Sequence, residues 1–243
     1  LSIKYDLLDV LGKENLGTTQ LKHLFRAINP WHDFLAALEL RRIIKNWKPD
    51  IIFLNSSKAG FIGSFVAKYL IHNTKYKILY RIGGWTFNDP WPKWKKKLWM
   101  ILERLSAGWK DVIIVNNKHD LEQAHRLKIR PREKTVLIHN GLDVYKTGLL
   151  PREEARDQLS LRLNGKSISA AGRIIGTIAN FYPTKGLRYL IEAAEHFKNK
   201  DDITFFIIGD GDERPELEDM IAEKGLQKKI LLLGQMPDAY KLL

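Results

Sequence analysis

Short apolar runs alternate with segments of helical period along most of the chain, which predicts an α/β fold with parallel sheets. A small-residue-rich stretch at 164–172 divides that alternation into two expected Rossmann-like halves in tandem. The clearest unit lies at 174–197. Ile174 to Ala179 is a buried-strand run, Asn180 to Thr184 is a polar loop broken by Pro183, and Leu187, Leu190, Ile191, Ala194 and Phe197 then recur on one helical face.

In chain order, Ile3 to Leu8 can begin a strand and Gly12 to Thr19 reads as a loop. Trp31, Phe34, Leu35 and Leu38 repeat at helical spacing, so a helix is expected over 31–47, stopped by Pro49. Asp50-Ile-Ile-Phe-Leu is a buried strand, and a helix follows from about Gly60 to Leu70. Strands are expected at 77–82, 111–115 and 135–138, with helices at 93–107 and 118–127 between them. Asn140-Gly141 is a turn signal, and Pro151 suits the first turn of a charged helix to Leu163. The second half begins near Arg173 and continues with a strand at Ile203, a Gly-Asp-Gly turn, a helix and a strand at Ile230. The expected domains are 1–168 and 169–243.

The 243 residues are 44% hydrophobic and 28% charged, a globular composition. No apolar run reaches the ~18 residues that span a bilayer. The absence of cysteine excludes disulfides and thiolate metal sites. The net charge of +12 is uneven: residues 1–170 carry 30 basic against 16 acidic residues, and 171–243 carry 10 against 12. The basic first half can attract nucleic acid, anionic lipid or a phosphorylated substrate. No histidine cluster, Gly-x-Ser-x-Gly or Walker motif is present.

Lys185 falls where a strand's C-terminal end feeds a helix N-terminus, the place where open α/β sheets bind ligands. Unpaired N–H groups and the helix dipole favour an anion there, a lysine adds positive charge, and Gly186 permits close backbone approach. The bland alternative is a surface lysine in a βα loop. Strand, loop, Lys185-Gly186-Leu187 and a Leu-Ile-Glu-Ala-Ala helix together resemble the donor half of GT-B glycosyltransferases of the "glycosyl transferases group 1" type, family four. Ile203 to Glu218 and Ile230 to Met236 continue that resemblance in the right order, over roughly 70 residues, and a weaker match extends over the first half.

The resemblance implies that Lys185, Gly186 and Asn180 bind the donor diphosphate. Asn180 stands where relatives carry an arginine and brings no charge. Arg188, one turn on, is either a helper or simply solvated. The resemblance also implies that Gly209, Gly211, Gly234, Gln235 and Met236 lie along the nucleotide, and that no metal or other cofactor is needed. Asp210-Gly211-Asp212 is read as a tight turn with acids at a helix start, not as a metal-binding Asp-x-Asp. On the acceptor side, Lys58 repeats the logic of Lys185, although hydroxyl-capped helix entry explains Ser56-Ser57-Lys58 equally. Gly83, Gly84 and Trp85 occupy a His-Gly-Trp position, so Gly83 removes the histidine that relatives place near the reacting sugar. Phe53 and Asn55 likewise replace histidines, and Asn140 to Asp143 resembles a family Asn-Gly-Ile-Asp turn. No catalytic residue is assigned.

Trp91 to Leu102 has the most unusual composition. Trp91, Trp94, Leu98, Ile101, Leu102 and Leu105 share a face, and Lys93, Lys96, Lys97 and Arg104 lie elsewhere on the wheel. The segment is expected to pack on the core in its C-terminal half and to touch an anionic membrane through Trp91–Trp99. A plain sheet-covering helix is the alternative. The resemblance implies a retaining hexosyltransferase of cell-envelope polysaccharide biosynthesis. It moves a sugar from a nucleotide-diphosphate sugar to a glycan or polyprenyl-linked acceptor. It is expected to be cytoplasmic, peripheral on the inner face of the membrane, and without a nucleic-acid partner. The rival is a non-catalytic membrane-surface protein on a degenerate GT-B fold. An RNA-binding module ranks last, for want of aromatic interleaving. The resemblance further implies a fragment cut at both ends and inactive alone, because a Gly-rich first loop and a Glu-x7-Glu segment have no counterpart in these residues.

Overall fold

Asn29 opens the first described helix by accepting hydrogen bonds from the amides of Trp31 (3.1 Å) and His32 (3.2 Å), with Pro30 at the first helical position. This helix, α1 (Pro30–Trp47), ends on a left-handed Lys48 whose N–H returns to the Ile44 carbonyl. The computed structural model describes residues 17–25, 28–71, 76–141, 148–161, 172–236 and 238–242. The expected strand at Ile3–Leu8, the Leu142-Asp143 half of the Asn-Gly turn and most of the 164–172 stretch lie outside them.

The first unit follows the predicted alternation: β1 (Ile51–Asn55), α2 (Ser57–Phe65, continued by a π turn to Leu70), β2 (Lys77–Arg81), α3 (Lys93–Ala107), β3 (Val112–Val115), α4 (Lys118–Arg126) and β4 (Lys134–Leu137). The four strands are parallel in the order β1-β2-β3-β4. Helix α2 starts three residues before the expected Gly60, because the Ser56 hydroxyl caps the Ala59 amide. Ile52, Leu54, Ile78, Tyr80, Ile82, Ile113 and Val115 form the sheet's contribution to a core completed by Ile62, Val66 and Ala124.

The second unit runs α5 (Arg152–Leu161), β5 (Arg173–Ile178), α6 (Leu187–Glu195), β6 (Ile203–Ile208), α7 (Arg214–Glu223) and β7 (Ile230–Gly234). Its three strands are parallel in the order β5-β6-β7. One side of the sheet is covered by Leu187, Ile191, Leu217 and Ile221. On the other, Leu159 of α5 packs with Phe206, Ile208 and Ala239, and the Leu150 amide donates to the Lys241 carbonyl at 2.9 Å. Helix α5 belongs with the second sheet, so the described residues divide after Gly141 and not at 168. The reason is burial: α5 is highly charged, and Ala155 and Leu159 are its only buried side chains.

Helix α3 departs from expectation in the direction it faces. Its inward side chains include Glu103, Ser106 and Ala107, and the apolar stripe Trp94, Leu98, Ile101 and Leu105 points outward, with Trp94 69% and Leu105 64% exposed. The expected core-packed C-terminal half is therefore not observed for Ile101 and Leu105. Beneath the helix lies a polar cluster. The Lys110 ammonium donates to the Ser106 hydroxyl (2.7 Å), sits 3.7 Å from Glu103 and lies over the Tyr80 ring, and the Tyr80 hydroxyl donates to Glu103 at 2.9 Å. Burial pushes the Glu103 and Tyr80 values up and brings the Lys110 ammonium down to about 8. Replacing Lys110 by Met strands a buried carboxylate and is expected to cost about 3 kcal/mol. Adding Glu103→Gln should recover most of that loss, and urea denaturation of the single and double variants checks the pair.

Candidate functional site

The residues expected on the donor side are brought together by backbone contacts between two βα junctions. The Ala179 amide donates to Ile208 and the Phe181 amide to Asp210, each at 2.9 Å, while Glu213 donates back to the Phe181 carbonyl at 3.1 Å. These bonds lay the loop after β5 directly on the Gly-Asp-Gly turn. A Cβ at Gly209, whose φ is +140°, would sit 1.9 Å from the Ala179 oxygen, and one at Gly211 2.6 Å from the Phe181 oxygen. The two glycines therefore seat the loop, a role distinct from the expected contact with a nucleotide. The loop then makes a 3₁₀ turn at Pro183–Lys185, and left-handed Gly186 (φ +64°) redirects the chain into α6.

This geometry leaves Lys185 and Asn180 exposed at the C-terminal end of β5. Among the described residues, the Lys185 ammonium has no carboxylate or hydrogen-bond partner. Arg188 points elsewhere, 3.9 Å from Glu192 on its own helix. Gly234 closes the same end of the sheet, its carbonyl accepting from the Gly209 amide at 2.9 Å. Gln235 beyond it is exposed, and Met236 is half-buried against Phe206 and Ile208.

Sequence reasoning missed Arg214. Its Nε donates to Asp210 (2.8 Å), one Nη to Glu218 (2.9 Å) and the other to the Gly209 carbonyl (3.3 Å), with the guanidinium over the Phe181 ring. The hydrogen bond from Arg214 holds the Asp210 carboxyl below its ordinary range. Asp210 is thus committed to bracing the turn. The signal available in sequence was an arginine four residues after an aspartate at a helix start.

The acceptor-side residues separate. Lys58 forms an ion pair with Asp33 of α1 at 2.6 Å and donates to the Phe25 carbonyl at 2.7 Å, so it pins α1 to the start of α2. Trp85, expected on the acceptor side, lies in the core of the first unit. It is 1% exposed, donates its indole N–H to the Asp120 carbonyl (3.0 Å) and stacks on Phe87. A large aromatic is buried here because its polar edge finds a backbone acceptor. Gly83 and Gly84 border open space, and a Cβ added at either would meet nothing within 4 Å. Ser56, at the C-terminal end of β1, has a φ of +151°, a backbone region that favours glycine and is found held at binding sites. Arg81, also missed, ends β2 and is bonded to Asn55 and Asn140. Among the described residues no His/Cys/Asp/Glu group is arranged to hold a metal, and no helix is long and apolar enough to cross a membrane.

The profile of "Glycosyltransferase Family 4" matches residues 13–146, more than half of the chain. The chain belongs to glycosyltransferase family 4. The profile "Glycosyl transferases group 1" matches residues 164–243. Among curated proteins, the chain is 30% identical over 174 residues to an uncharacterised 41.2 kDa protein in the cps region of Klebsiella pneumoniae, covering 71% of this chain and 46% of that protein. It is 25% identical over 221 residues to the UDP-Gal:alpha-D-GlcNAc-diphosphoundecaprenol alpha-1,3-galactosyltransferase of Escherichia coli, covering 88% and 54%. The chain spans about half the length of these relatives. Of solved structures, Anabaena HepE in complex with UDP and glucose superposes with a TM-score of 0.75 at 18% identity, over 97% of this chain and 60% of HepE. The two family-4 units thus have the α/β architecture of GT-B glycosyltransferases. Because a Cβ at Gly209 would make the closer of the two backbone clashes, 1.9 Å from the Ala179 oxygen, Gly209→Ala is expected to cost at least about 3 kcal/mol in urea denaturation, several times the cost of Gly83→Ala, which meets open space.

Proposed function

We propose that this protein is the substrate-binding part of a retaining glycosyltransferase that moves a sugar from a nucleotide-diphosphate sugar to a polyprenyl-diphosphate-linked or glycan acceptor. The observation that carries the reading is Lys185 before α6, without an ion-pair or hydrogen-bond partner among the described residues and presented by a loop that two close-packed glycines hold in place. A leaving nucleoside diphosphate gains negative charge as the glycosidic bond breaks. An ammonium carried on a seated backbone and the helix N-terminal amides stabilise that charge. The acid of the neighbouring turn, Asp210, is bonded to Arg214, which supports Lys185 as the counter-charge to the diphosphate. The Escherichia coli relative, named for a diphosphoundecaprenol acceptor, supports the acceptor class. Lys185→Ala is expected to weaken UDP-sugar binding about tenfold or more, the worth of one charge-assisted contact. Calorimetric titration checks it, and unchanged affinity would remove the donor-site assignment.

The outward face of α3 supports attachment to an anionic lipid surface. Trp94, Leu98, Ile101 and Leu105 form one exposed apolar stripe, bordered by exposed Lys93, Lys97 and Arg104, with the Lys95 ammonium 3.6 Å from the centre of the Trp91 ring. Apolar insertion and basic attraction to lipid phosphate act on the same helix face. The expected result is sedimentation with phosphatidylglycerol vesicles at low salt, lost in Trp94→Ser/Leu98→Ser and reduced by high salt. Concentration-dependent dimerisation through the stripe, without vesicle binding, would overturn this attachment.

A further inference from the structure

The rim of the first sheet holds a cation that neither the donor-site reading nor the membrane reading uses. Arg81 is the last residue of β2. One Nη donates to the Asn55 side-chain oxygen at 2.9 Å and the other to the Asn140 side-chain oxygen at 2.6 Å. Asn55 is the last residue of the neighbouring strand β1, and Asn140 follows β4, so the guanidinium is fixed by residues from opposite ends of the four-stranded sheet. Both partners are neutral carboxamides. They orient the guanidinium and leave its full positive charge in place. No carboxylate among the described residues pairs with it, in contrast to Lys58, Lys110, Arg132 and Arg214, which all have acidic partners.

Two bonds occupy two of five guanidinium donors, which leaves N–H groups free for a further acceptor. The next residues after Ile82 are Gly83 and Gly84, which border open space, so no side chain at either position covers the approach. The position is at the carboxyl ends of parallel strands, where ligands of such sheets bind. The same rim carries Ser56 in its strained conformation. A fixed, uncompensated fork of donors is suited to a planar or tetrahedral oxyanion contacted through two oxygens, and phosphate esters are that chemistry.

We propose that Arg81, held by Asn55 and Asn140, is a phosphate-binding residue of the first unit, and that its ligand is the diphosphate group of the acceptor. The acceptor identity rests on the transferase reading above, whereas the anion site rests on the geometry of the first unit. A diphosphate also occurs in the nucleotide donor, so the test separates the two sources.

The experiment titrates the whole 243-residue chain with inorganic pyrophosphate, farnesyl diphosphate and UDP. It compares the wild type with Arg81→Gln, Arg81→Lys and Asn140→Asp, each first checked for an unchanged thermal transition. Arg81→Gln is expected to weaken pyrophosphate and farnesyl diphosphate about tenfold and to leave UDP unchanged. Arg81→Lys keeps the charge without the fork and should fall between. Asn140→Asp supplies an internal counter-ion and should weaken both probes while the arginine remains. Wild-type pyrophosphate affinity in Arg81→Gln and Asn140→Asp would overturn the site. Loss of UDP alone in Arg81→Gln would overturn the acceptor assignment. Absence of UDP binding in the wild type, with pyrophosphate binding still dependent on Arg81, would keep the anion site and reject the transferase reading instead.

Discussion

The donor-side geometry depends on one close approach of two backbones, Ala179 over Gly209. Three hydrogen bonds between the loop after β5 and the turn after β6 require a separation that a Cβ at position 209 would violate. Beyond that contact the chain makes its 3₁₀ turn at Pro183–Lys185, and left-handed Gly186 delivers it into α6. Arg214 locks the arrangement from the far side through Asp210 and the Gly209 carbonyl. A charge-bearing side chain is thereby fixed at its Cα while its ammonium stays in solvent. That combination suits a site that must meet a charged ligand with little backbone rearrangement.

A second dependency links the interior of the first unit to its surface. Lys110, Glu103, Ser106 and Tyr80 form a buried polar group that needs its members mutually bonded. Two of them, Glu103 and Ser106, are on α3, so the polar side of that helix must face inward over this stretch. The opposite side, which carries Trp94, Leu98, Ile101 and Leu105, is then obliged to face outward. An exposed stripe of large apolar side chains is costly in water unless something covers it. The polar interior and the apolar exterior of α3 are therefore one arrangement, seen from two sides.

The element boundaries were legible because they rest on local chemistry. Asn29 and Asn117 cap helices whose starts the sequence places within a residue, and Lys93–Ala107 matches the expected span. The strands are apolar runs of the expected order, and all pairings are parallel. What the periodicity of α3 could not supply was the side on which the core would lie. A helical wheel shows that two faces differ, and the inward one is decided by Lys110 and Tyr80, which come from other elements. The packing of α5 was hidden for the same reason. Helix α5 precedes the small-residue stretch, yet the surface that buries Leu159 is made by β6 and the 239–242 turn.

Lys58 and Lys185 show the division most directly. The sequence alone determined that both stand between a strand and a helix, with hydroxyl- or glycine-containing neighbours, and on that basis they are equivalent. In the folded chain Lys58 meets Asp33, far back along the chain on α1, and becomes a brace. Lys185 meets no acid among the described residues and remains available for a ligand. Propensity, capping and turn chemistry act over a few residues, so they are written in the local sequence. Burial and charge pairing depend on which distant segments the fold brings together, and only the tertiary structure decides that.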